Sequence, residues 1–203
     1  MPKLNQVTKQ KILTAAETVF HENGFQGART TLIAKRAGVS RPMLHYYYRT
    51  KEELFQEVLQ NSFGFFVAHA QNLFSGGSDL RTSINSLIDL LSTVLEEKPS
   101  LPSFMVNLLN ENPELLTALD FIEQENLPAL FDKLLDQARE DNEIQSVITG
   151  ENLLLNIYGL IVIPYLTAPM IKFKENRDET EMKTFLNNRI EQIKEFVWNG
   201  IQH

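Results

Sequence analysis

The 203-residue chain contains no cysteine, which excludes disulfide staples, thiolate nucleophiles and any zinc or iron–sulfur site built on a thiolate. Its four histidines, His21, His45, His69 and His203, are scattered and fall into none of the spaced patterns that hold a metal or serve a nucleophile. No catalytic group, metal or cofactor is therefore expected, and the chain does not read as an enzyme. Long apolar runs are also missing. The richest, Leu153 to Ile163, is interrupted by Asn156 and followed by Pro164, well short of the ~20 residues of a membrane span. The N-terminal lysines lead into no apolar segment, so no secretory leader is indicated and a cytoplasmic location without membrane contact is expected. Strand-type alternation is nearly absent.

What is present is a helix-forming chain with divided charge. At 43% hydrophobic and 22% charged residues it can bury a core in one or two domains. Residues 1–50 carry eight basic and two acidic groups, a balance of +6, whereas residues 51–203 carry 11 basic and 24 acidic groups, a balance of −13. A polyanion is attracted by the first part and repelled by the second.

Val7, Ile12, Ala15, Ala16, Val19 and Phe20 recur mainly at spacings of three and four, which predicts a helix from about Gln6 to Glu22, stopped by Asn23-Gly24, with Phe25 folded back into the core. A short helix, about Thr31 to Ala37, follows with Thr30 or Thr31 as its cap. Gly38 supplies a left-handed turn and Val39 a buried plug. Ser40 is placed to cap a helix over Arg41–Tyr47 with Pro42 in its first turn, and Thr50 with Glu53 forms a capping-box pattern for a fourth helix toward Ala70. This order is helix-turn-helix geometry with a supporting helix on each side. After Ser75-Gly76-Gly77-Ser78, helices are expected over about Leu80–Glu96, Leu101–Asn110, Pro113–Asn142 with a break near Asn126, Val147–Leu166 and Asp178–Asn199.

Arg41 and His45, four apart, share one face of the second short helix, flanked by Met43 and Tyr46. Arg41 can donate two bonds to a guanine edge in a major groove, while Pro42 and Met43 offer only apolar contact, for instance to a thymine methyl. Thr31, Tyr47 and Lys51 suit phosphates, which position a protein without specifying sequence. Leu44 and Tyr48 are expected in the core. The tyrosines also suit half-buried packing with wet hydroxyls, and both readings stand.

The run Thr30-Thr31-Leu32-Ile33-Ala34-Lys35-Arg36-Ala37-Gly38-Val39-Ser40-Arg41, then Leu44, then Tyr46-Tyr47-Tyr48-Arg49-Thr50-Lys51-Glu52-Glu53-Leu54, resembles the DNA-binding domain of the TetR family of transcriptional regulators over about Lys9 to Leu59. The resemblance implies an all-α homodimer, with a helix-turn-helix DNA-binding domain at residues 1–50 and a helical effector-binding and dimerisation domain at 51–203. It also implies DNA contacts at Thr31, along Arg41–Tyr47 and at Lys51. Pro42, Met43 and His45 depart from the side chains usual at those positions, so an operator sequence does not carry over.

The expected function is a ligand-responsive transcriptional regulator, a repressor that binds a palindromic double-stranded operator as a homodimer and is released by a small molecule. An activator of the same fold and a helical adaptor that binds no DNA are the alternatives. Ile148, Leu155, Tyr158, Gly159 and Val162, with Leu186, Ile190, Ile193 and Val197, are the candidate dimer interface, although the same side chains would also fill a protomer's own core. Phe63, Phe66, Phe104, Met105 and Leu108 are the candidate apolar lining of an effector pocket, with Asn152 and Asn156 to orient the ligand. Effector identity is not legible.

Overall fold

The computed structural model describes the backbone of residues 2–74, 77–111 and 126–202, and side chains of 6–62, 77–110 and 126–202. The described residues form ten α-helices and no strand. They fall into two compact units, Met1–Phe65 with Ser103–Phe121, and Phe66–Pro102 with Ile122–His203.

In the first unit α1 (Pro2–Gly27) buries Ile12, Ala16, Val19 and Phe20 completely, the stripe that its three-and-four spacing requires. Gly24 (φ 67°, ψ 176°) breaks the helical path where Asn23-Gly24 marks a stop. The break turns Phe25 inward, so that Phe20, Phe25 and Phe55 meet at ring separations of 4.8 to 6.1 Å. Phe104 of α6 (Leu101–Glu111) joins this cluster, 5.8 Å from Phe55 and stacked 4.3 Å from His21.

The following helices, α2 (Thr30–Ala37) and α3 (Arg41–Tyr47), are joined by Gly38 in the left-handed conformation at φ 67°. The expected threonine cap of α2 is absent. The helix starts one residue early, and the Arg29 carbonyl takes the N–H groups of Leu32 and Ile33, leaving Thr31 exposed. Val39, expected to be a buried plug, is only half-buried; Ile33, Ala34 and Leu44 do that work. In α4 (Lys51–Phe74) Thr50 caps the Glu53 N–H at 3.1 Å, but the Glu53 carboxylate accepts from Arg49 N, one residue further back than in a capping box.

The second unit packs α5 (Leu80–Glu97), α7 (Leu127–Glu140), α8 (Gly150–Leu166), α9 (Ala168–Glu175) and α10 (Glu179–Gln202) around Leu87, Ile88, Phe131, Leu135, Ile157 and Trp198. Asn126 caps α7 with Pro128 in its first turn, at the expected break; the stretch from Pro113 to Glu125 lies outside the described residues. The last helix runs to Gln202 rather than Asn199, and two further features differ from the periodicity. The eighth helix starts at Gly150 rather than Val147, because the Arg139 guanidinium grips the carbonyls of Ser146 and Ile148 at 2.8 and 2.6 Å and Ser146 N donates to Ile201 O, which ties residues 146–148 outside a helix. An unanticipated α9 uses Pro169 in its first turn, where a proline starts a helix instead of interrupting one.

At Gly150 the backbone of α8 lies against α7. A Cβ there would stand 2.2 Å from Pro128 O and 2.9 Å from Asp132 N, and Gly150 N donates to the Asp132 carboxylate at 2.6 Å. Gly150→Ala is expected to lower the stability of this unit by about 3 kcal/mol, because backbone atoms must yield rather than a side-chain tip. Urea denaturation followed by circular dichroism tests this; an unchanged midpoint contradicts the packing.

Candidate nucleic-acid interface

The recognition-type surface is built from α3 outward. Ser40 Oγ accepts the Met43 N–H at 3.2 Å, and Pro42 sits where a missing N–H costs nothing. Leu44 and Tyr48, each 1% exposed, anchor the helix on the core. Their burial leaves the other face open: Arg41, Pro42 and His45 are exposed, Met43 is 45% exposed and Tyr46 77%. Tyr47 is half-buried, with its ring edge-on to Tyr46 at 5.4 Å. Thr31 is exposed in the first turn of α2. The Lys51 ammonium is committed in part: it donates to Phe25 O at 2.9 Å and more weakly to Ala28 O, and lies 4.4 Å over the Phe25 ring. One of its three N–H bonds remains for a phosphate.

Not every cation of the basic segment faces outward unpaired. Arg36 forms a two-pronged bond to Glu22 at 2.6 and 3.0 Å; that hydrogen bond holds the Glu22 carboxyl below its ordinary range and the guanidinium above its own. Lys9 pairs with Glu57 at 2.6 Å. Among the described residues Lys11, Arg29, Lys35, Arg41 and Arg49 are exposed with no ion-pair partner. Arg29 and Arg49 flank the α2–α3 pair at its two ends and were passed over in the sequence; their adjacency to the two helix boundaries was the available signal.

The other candidate residues separate. The side chains of Phe63 and Phe66 lie outside the described residues. Phe104 and Leu108, each 2% exposed, and half-buried Met105 belong to the first unit. Asn152 and Asn156 are exposed on α8 of the second, where Asn152 bonds the capping Thr149 hydroxyl at 3.0 Å. Within that unit α8 and α10 enclose an open groove of about 400 Å³, lined by Ile148, Leu155, Asn156, Gly159, Phe196 and Gly200 among others. A Cβ on Gly159 or Gly200 would meet nothing within 4 Å. Leu155 is 59% exposed and Phe196 68%. Tyr158, Val162, Leu186 and Ile190 are half-buried, and burial pushes the Tyr158 phenol up. Ile193 and Val197 point instead into the protomer's own core, as their spacing to Met182 and Ile201 along α10 dictates. Among the described residues no single helix is long and apolar enough to cross a membrane.

The Tyr48 phenol is raised well above its ordinary range, by burial first and then by the Glu57 carboxylate. Since the unfolded phenol ionises near pH 10, this group's contribution is complete below about pH 10 and is lost as pH rises beyond it. Tyr48→Phe is therefore expected to flatten the alkaline fall in stability, measured by denaturant midpoints from neutral to alkaline pH; an unchanged fall contradicts this role.

Residues 12–58 match the profile of bacterial regulatory proteins of the tetR family. The negative transcriptional regulator IcaR of Staphylococcus epidermidis is 34% identical over 59 residues, 29% of this chain, and the match covers 32% of its own length. The transcriptional activator FasR of Mycolicibacterium smegmatis is 24% identical over 199 residues, covering 95% of this chain and 82% of its own. The fold is that of the transcriptional regulator FadR of Bacillus subtilis, solved in complex with stearoyl-CoA, at a TM-score of 0.68 and 21% identity over 95% of this chain and 98% of that one. The relatives are transcriptional regulators, not enzymes. The tetR-family profile thus lies on the same helices that expose Arg41 and cap at Ser40, and over those residues the chain is similar to bacterial regulatory proteins of that family.

Proposed function

We propose that this chain is a ligand-responsive transcriptional repressor acting as a homodimer in the cytoplasm, with residues 1–50 reading double-stranded DNA and residues 51–203 binding an effector and the second protomer. The observation that carries the reading is α3: two buried anchors, Leu44 and Tyr48, with Arg41, Pro42, Met43, His45 and Tyr46 turned to solvent between unpaired cations. In this reading Arg41 addresses a guanine, Pro42 and Met43 a thymine methyl, and Thr31, Tyr47 and Lys51 the phosphates. Relatives include a negative regulator and an activator, so the sign of regulation rests on a transcription assay.

One recognition helix reads few base pairs, and two copies on a palindrome supply the rest. Support for pairing lies in unit two, where Val147, Leu155, Ile163, Met170, Phe173 and Phe196 are exposed. Gly159 and Gly200 leave room there for a partner's side chains. Binding of stearoyl-CoA by FadR, with the apolar Phe63, Phe66, Phe104, Met105 and Leu108 of this chain, favours an effector with a large apolar part.

Selection from randomised duplex DNA is expected to return a two-fold consensus. Arg41→Ala should weaken that site by about 1–3 kcal/mol and relax one base position, Tyr47→Ala should weaken all sequences alike, and Arg36→Ala should leave base choice unchanged. No sequence preference would overturn the reading. Gly159→Leu with Gly200→Leu is expected to keep the helix content while shifting the protein from dimer to monomer in light scattering; a dimer that persists places the interface elsewhere.

A further inference from the structure

The second unit contains a cation cluster that neither DNA binding nor the apolar groove uses. Arg177 and Arg189 both lie against the ring of Phe185, their guanidinium carbons 4.2 and 5.8 Å from its centre. The two positive groups are thus within about 10 Å of each other, at a cost in mutual repulsion. Neither has a carboxylate within ion-pairing distance among the described residues, although residues 51–203 carry more than twice as many acidic as basic groups. Both side chains are half-buried, and Arg177 Nη1 and Arg189 Nε are closed off from solvent without an acceptor.

The cluster is held rather than floppy. Asn176 ends α9 in the left-handed conformation, and Arg177 N donates to Lys172 O at 3.0 Å, which fixes where the arginine leaves the backbone. Phe185 and Arg189 are four apart and share one face of α10. The nearby carboxylates are turned elsewhere: Glu179 pairs with Lys172, while Asp178 and Glu181 accept each other's backbone N–H groups. Partly desolvated guanidiniums without a counter-charge are unfavourable until an anion meets their open edges.

We propose that Arg177 and Arg189, on the Phe185 platform, form a two-guanidinium clamp for an oxyanion, a phosphate or carboxylate group carried either by a small molecule or by an acidic side chain of a second copy of this chain. The clamp stands independently of the DNA-binding reading. Guanidinium forks match both oxyanions, and two of them select a multiply bonded group over chloride.

The test uses the full chain with labelled arginine. Inorganic phosphate, and separately acetate, are titrated at constant ionic strength while the Nε–H resonances of Arg177 and Arg189 are followed, and self-association is measured in parallel by sedimentation equilibrium. A free anion is expected to shift both resonances saturably, with binding about tenfold weaker or more in the Arg177→Gln, Arg189→Gln double variant and with association unchanged. A carboxylate of a second copy is expected instead to make association fall about tenfold or more in the same variant and fall likewise on adding phosphate to the wild type. Either result supports the clamp, and Lys183→Gln serves as the exposed-cation control in both. Resonances indifferent to both anions, together with association indifferent to the double substitution, overturn it; the wild-type titration decides even if the variant folds poorly.

Discussion

The first unit depends on one apolar contact set, the meeting of Phe20, Phe25 and Phe55. Burying three phenylalanine side chains contributes on the order of several kcal/mol from area alone, and the ring geometry adds to it. The cluster exists because Gly24 adopts a positive φ that lets Phe25 return toward the helix it has just left. The carbonyls exposed at that break are then met by Lys51 at the start of α4. A cation from the fourth helix thus closes the end of the first, and α2 and α3 are suspended between them.

That arrangement explains how a seven-residue helix can present so many side chains outward. Isolated, α3 is far too short to be stable. Its fold comes from Ser40 at one end, Tyr48 at the other and Leu44 between them, which leaves Arg41, Pro42, Met43, His45 and Tyr46 exposed. Three of them, Pro42, Met43 and His45, are where the chain departs from the side chains usual in the family it resembles, as expected for a scaffold whose specificity can change without altering its core.

Electrostatic layout is decided by the same packing. The +6 of residues 1–50 already counts Glu22, which holds Arg36, but not Glu57 of α4, which holds Lys9, so the charge open to a polyanion is smaller than that balance. In the acidic second unit the reverse occurs, and two arginines beside Phe185 remain without the counter-charges that surround them in sequence.

Helix order, the Gly38 turn, the caps at Ser40 and Thr50, the break near Asn126, and the burial of Leu44, Phe25 and Tyr48 were legible in the residues themselves, because each rests on partners within four positions or on a repeating apolar stripe. The tertiary structure alone decided that α8 begins at Gly150, that a proline starts α9, that Ile193 and Val197 turn inward while Leu155 and Phe196 stay open, and which cations are spent on internal partners. Those outcomes hang on groups far apart along the chain, such as Arg139 with Ile148 O or Lys51 with Phe25 O, and local spacing carries no record of a bond formed only when distant helices meet.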